Sequence, residues 1–98
     1  MIEHFNHFLP KLLNVYGVTL GKYVYYRMGS EFISDRLRSH EMVHVEQFRK
    51  YGFIRFLYLY FKEYIGYRLN GFSHYQAYYE ISFEKDARLK ETVNEEGL

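Results

Sequence analysis

A chain of 98 residues without cysteine builds one small domain with no disulfide or thiolate site, so any metal must be held by His, Asp or Glu. Thirteen basic against twelve acidic side chains leave a net charge near +1 and no long basic run, which argues against phosphate-driven nucleic-acid binding. Aromatic residues reach 21%, all Tyr and Phe, the side chains a small domain uses to enlarge its buried area.

The opening MIEHFNHFLPKLLN lacks a cationic leader, carries acid and His early and breaks at Pro10, so a cytoplasmic protein is expected. Within it Phe5, Phe8, Leu9, Leu12 and Leu13 recur at helical spacing, and a short helix or turn interrupted by Pro10 is predicted over 3–14. VYGVTLGKYVYYRM (15–28) is rich in β-branched and aromatic residues and punctuated by Gly17 and Gly21, which predicts a short hairpin. Over 30–51 Phe32, Ile33, Leu37, Val45 and Phe48 follow a helical period, with Gly52 as the stop. The stretch 53–69 reads as a second helix, apolar on most sides. Its Arg55, Lys62, Glu63 and Arg68 exclude stable membrane insertion, so its surplus of Phe, Tyr and Ile predicts either a wrapped helix or a homodimer contact. A last helix lies within 74–93, with Ser73 and Ser82 as competing caps, and the acidic stretch from Asn94 is expected to fray. The fold expected for 1–98 is a single α+β domain, mainly helical, with a short antiparallel hairpin ahead of the 30–51 helix and two further helices packed on it.

His40-Glu41-Met42-Val43-His44 falls inside the 30–51 helix. Residues four apart on a helix stand one turn above each other, so both imidazoles reach one metal ion while Glu41 projects beside them. From there Glu41 can act as a general base on a metal-activated water. Zinc (Zn2+) suits nitrogen and oxygen ligands in a tetrahedral site, and a set of two imidazoles and one carboxylate also tolerates Fe(II) or Ni(II). A third ligand is required, and Lys50 stands where a third His six residues after His44 would be. Carboxylates at Glu80, Glu84 and Asp86 remain, and spacing alone does not separate Glu80 from Glu84.

His40-Glu41-x-x-His44-x-x-Gln47, followed by Phe83-Glu84-x-x-Ala87, resembles the small bacterial metallopeptidases of the gluzincin type, minimal zincins catalogued in part as a domain of unknown function. The resemblance runs from about Val18 to Arg88. It implies that Glu84 supplies the third ligand and that an edge strand beside the metal helix receives an extended peptide, with Val18 to Tyr26 as the candidate. The chain departs from that pattern at Arg88, where many gluzincins carry an Asp that orients the first His. Arg cannot accept an imidazole N–H, so another acceptor or a backbone carbonyl must do so. Ser82 also replaces a Pro common before the ligand Glu, and reads as a cap. Among Tyr75, Tyr78 and Tyr79, Tyr78 is the candidate donor to a developing oxyanion, against a background of twelve tyrosines. Gln47 either hydrogen-bonds a ligand, lines the cleft, supports the site from behind the ligands or sits on the helix surface. The expectation is a zinc-dependent peptidase acting on a peptide or protein. Its rivals are a zincin-like binding module with a structural metal, and an interaction protein using the aromatic helix 53–67.

Overall fold

The computed structural model describes residues 1–96 of the chain. A three-stranded sheet lies at one side, made of β1 (Ile2–His4), β2 (Gly17–Leu20) and β3 (Tyr23–Tyr26) in the order β1-β3-β2. β2 and β3 form the expected hairpin, pairing Gly17 with Tyr26 and Leu20 with Tyr23. Gly21 at φ +66° opens the two-residue turn between them, a backbone that glycine adopts without a Cβ penalty. β1 was not foreseen: it runs parallel to β3, Ile2 beside Tyr23 and His4 beside Tyr25. After it comes α1 (Phe8–Leu12), capped by His7, whose Nδ1 accepts from the Leu9 amide. Pro10 therefore sits in the first turn, where its missing N–H costs no helical bond, and does not break the helix.

A 3-10 turn (Ser30–Phe32) leads into α2 (Asp35–Tyr51), the central element. Ser34 caps it by accepting from the Leu37 amide, Asp35 lies in the first turn, and Arg49 and Lys50 lie in the last. Gly52 at φ +83° ends α2 and starts α3 (Phe53–Leu69). Both serines stand at helix starts, but only Ser73 caps one: Ser82 is itself the first residue of the next helix, and its hydroxyl donates to Glu63. Ser73 forms a capping box with Gln76 at α4 (His74–Glu80), the chain turns through an extended Ile81, and α5 (Ser82–Glu96) begins at once. α5 runs on through part of the stretch expected to fray, while Gly97 and Leu98 lie outside the described residues.

α2 packs on β2, α3 and α5 together. On its sheet side Val45 joins Val24, Tyr26 and Ile33; on the other, Phe48 joins Phe56, Ile81 and Phe83. Both clusters border the side of α2 that carries His40 and His44, so the motif sits between two rigid apolar contacts. α3 is not wrapped. Phe56, Tyr60 and Tyr64 turn inward, whereas Ile54, Tyr58, Phe61, Ile65 and Leu69 stay exposed.

Candidate metal centre

His40 and His44 leave α2 one turn apart, their rings edge to face with centroids 4.8 Å apart and their Nε2 atoms 3.2 Å apart. Glu84 enters from the first turn of α5 and places Oε1 2.9 Å from His40 Nε2 and 3.0 Å from His44 Nε2. Among the described residues, His40, His44 and Glu84 form the group of His and carboxylate side chains able to share one metal ion.

The surrounding hydrogen bonds decide where the imidazole protons are. Gln47 donates through Nε2 to the Phe83 carbonyl (3.1 Å) and to Asp86 Oδ2 (2.9 Å), which turns its Oε1 towards His44 Nδ1 at 2.7 Å. An amide oxygen only accepts, so His44 carries its proton on Nδ1. The carboxylate of Glu91 takes the same part for His40, with Oε2 against Nδ1 at 2.5 Å. Glu91 lies seven residues after Glu84, two turns along the same face of α5, and is buried. It is the acceptor that Arg88 cannot be. Arg88 turns away, donating to the Tyr79 carbonyl at 2.6 Å with its guanidinium over the Tyr79 ring.

With both Nδ1 protons committed, both Nε2 lone pairs and Glu84 Oε1 form a triangle of acceptors with sides of 2.9–3.2 Å. Only an added proton or a cation holds three acceptors together in a buried place. A tetrahedral zinc with ligand bonds of 2.0–2.1 Å spaces its ligand atoms about 3.3 Å apart, so the donor set fits zinc in type, number and spacing. The protonic alternative leaves its mark on the pKa values. Burial acts to lower the His44 pKa, but the Glu84 carboxylate outweighs it and lifts the ring to about 9. Burial acts to raise the Glu84 carboxyl, but His44, His40 and the Tyr60 hydroxyl together hold it well below the usual carboxylate range.

No family model, curated protein or solved structure matches this chain.

Glu41 is 2% exposed and lies beside the triangle rather than in it, its carboxylate against Gly17 at the start of β2. A Cβ at Gly17 would stand 2.8 Å from Glu41 Oε1, so any side chain there would displace the Glu41 carboxylate. Burial pushes the Glu41 carboxyl up, and the neighbouring His44 and His40 pull it back. Thr19 Oγ1 donates to the Glu41 carbonyl at 3.4 Å and ties β2 to this turn of α2.

A cleft of about 310 Å³ opens over the group, with Glu41, His44, Glu84 and Tyr78 at its polar end. Val18 and Leu20 of β2 line one wall, and Phe56, Leu57 and Phe61 of α3 line the other. β2 is an edge of the sheet and β3 its centre, so the peptide-binding edge proposed over Val18 to Tyr26 narrows to Val18–Leu20. Tyr78 is brought to the Glu84 carboxylate, and its hydroxyl pKa is raised by burial and by that charge, which keeps it a donor. Glu80 is not brought in: it pairs with Lys85 at 2.7 Å. Asp86 serves Gln47 and Lys90.

Two residues escaped the sequence reading in this role. Tyr60 of α3 donates to Glu84 Oε2 at 2.7 Å, leaving Oε1 as the single free oxygen aimed at the two His rings. Nothing local marks Tyr60 among its aromatic neighbours. Glu91 carries a usable signal, the two-turn spacing from Glu84.

Proposed function

We propose that this chain is a zinc-dependent metallopeptidase of the gluzincin type, hydrolysing a peptide bond held along β2. The observation that carries this reading is the convergence of His40 Nε2, His44 Nε2 and Glu84 Oε1 within 3.2 Å of one another at the polar end of an open cleft. Zinc held by those three atoms would supply a Lewis acid that lowers the pKa of a water towards about 7 and polarises a carbonyl.

The chain's own residues account for the remaining chemistry. Glu41, next to the triangle and shielded from solvent, takes the proton of the attacking water on its carboxylate and returns it to the leaving amine. Its raised pKa makes the carboxylate a stronger base, so taking the proton of a water is less uphill. Tyr78, protonated at the same end of the cleft, donates to the oxyanion that develops on the former carbonyl. Glu91 and Gln47 keep the two rings in the tautomer that presents Nε2, and Tyr60 fixes the Glu84 carboxylate. Val18 and Leu20 offer an edge on which an extended peptide aligns, while Phe56, Leu57 and Phe61 exclude water from the bond being cut.

The test is Glu41→Gln on zinc-loaded protein, assayed against a peptide library. Hydrolysis should fall to background while one zinc per chain is retained. Loss of the zinc in that variant would contradict the role given to Glu41.

One observation favours a second reading, in which the metal serves structure: His44 and Glu84 are only 5% and 3% exposed. A hydroxamate separates the two, since it needs an open coordination position that a closed structural site does not keep.

A further inference from the structure

The outward face of α3 is a second apolar surface that the fold leaves uncovered. Ile54, Tyr58, Phe61, Ile65 and Leu69 recur at intervals of three and four residues and are all exposed, Ile54 by 77% and Leu69 by 83%. At 100° per residue they form one stripe roughly 80° wide, opposite the buried Phe56. The charges of the helix are arranged about it. Arg55 and Lys62 border one side of the stripe and Arg68 the other. The single acid of α3, Glu63, points elsewhere: its carboxylate accepts from the Ser82 amide at 3.0 Å and the Ser82 hydroxyl at 2.6 Å, closing the N-terminus of α5. An apolar stripe with cations on both flanks and its acid withdrawn complements a surface that is apolar within and anionic at its rim.

We infer that α3 docks this protein, lying in the plane of the interface, on a membrane carrying anionic lipid headgroups. Ile54, Phe61, Ile65 and Leu69 enter the acyl boundary, and Arg55, Lys62 and Arg68 meet the phosphates. No helix among the described residues is long and apolar enough to cross a bilayer, so the contact is peripheral. A second copy of the chain fits the same stripe less well. Both flanks are basic, so two facing stripes would oppose cation to cation in either orientation, with Glu63 already engaged. Phe61 belongs to the stripe and also lines the cleft, and Leu13, on the cleft's other side, is exposed as well. Docking therefore sets the mouth of the cleft at the lipid surface. This inference rests on α3 alone and stands whether or not the metal centre hydrolyses anything.

The experiment is flotation of the whole protein with phosphatidylcholine vesicles, with and without phosphatidylglycerol at about one lipid in three. Wild type should float with the anionic vesicles and far less with the neutral ones, and added salt should weaken the binding. Lys62→Gln should weaken partitioning about fivefold, the value of one cation at such a surface. Ile65→Glu should abolish it with little change in the melting curve, because Ile65 is exposed and belongs to neither core cluster. Protein that stays below the anionic vesicles overturns the inference, as does equal flotation with neutral lipid. A dimer in sedimentation equilibrium that Ile65→Glu dissolves, without vesicle binding, would give the stripe to a second copy instead.

Discussion

Replacing Gln47 with Met removes an amide while nearly keeping its volume, and the consequence for zinc affinity follows from a proton. In the wild type Gln47 Oε1 at 2.7 Å holds the proton of the neutral His44 ring on Nδ1, so Nε2 faces a metal once the added proton is displaced. In Gln47→Met that attraction is gone, and the proton gains more at Nε2, where Glu84 Oε1 waits at 3.0 Å in a buried site. Zinc must then break a charge-assisted hydrogen bond of about 1.5–3 kcal/mol before it binds. At about 1.4 kcal/mol per decade, that predicts zinc binding weaker by about 10–100-fold, the range seen when such outer partners are lost. The variant also loses the Gln47 hydrogen bonds to the Phe83 carbonyl and to Asp86, at about 0.5–1.5 kcal/mol each, so the metal-free protein should lose about 1–3 kcal/mol in stability. Competition with a chromophoric chelator measures the affinity, at a temperature where circular dichroism shows the variant folded. An affinity within twofold of wild type in folded protein would refute the tautomer argument.

Other perturbations test neighbouring parts of the account. In Gly17→Ala the new methyl must push the Glu41 carboxylate from 2.8 Å to ordinary contact, which should lower turnover by up to about 10²-fold with zinc content unchanged. Unaltered turnover would mean that Glu41 need not hold that position. The Glu3 carboxyl anchors β1 by accepting from Arg38 Nε and the Tyr26 hydroxyl, both at 2.8 Å. Burial raises its pKa, but those two bonds outweigh burial and leave it below the ordinary value. Its contribution is therefore complete above the unfolded-state pKa near about 4.3 and is lost as pH falls through the lower folded value. Glu3→Gln should flatten the acid limb of the melting temperature against pH, and an unchanged limb would place that acid sensitivity elsewhere.

The legible and illegible parts of the chain divide along physical lines. His40, Glu41 and His44 declare themselves because an interval of four on a helix is local geometry, and the period around them fixed the helix. Glu84 needed more, since its approach to α2 depends on the packing of α5, which no short-range spacing encodes. Tyr60 was hidden in the same way, among aromatic neighbours whose inward and outward faces separate only once α2 and α4 are in place. Three-residue β1 carries no measurable alternation, and its parallel pairing with β3 is a contact across some twenty residues. Both serines at the helix starts were visible, but only the extended backbone at Ile81, φ −59° and ψ 132°, shows that one helix becomes two, and of the two serines only Ser73 is a cap. Glu91 is the instructive miss. A buried acid two turns beyond a candidate ligand, in a chain whose Arg88 cannot orient the first His, was readable as a question the sequence had already posed.

The most direct measurement is elemental analysis of purified, untagged protein beside His44→Ala and Glu84→Ala. One zinc per wild-type chain and none in either variant is the predicted result. Wild-type protein that is folded, free of metal and unable to take up added zinc would contradict the account at its centre, leaving the three acceptors held together by a proton alone.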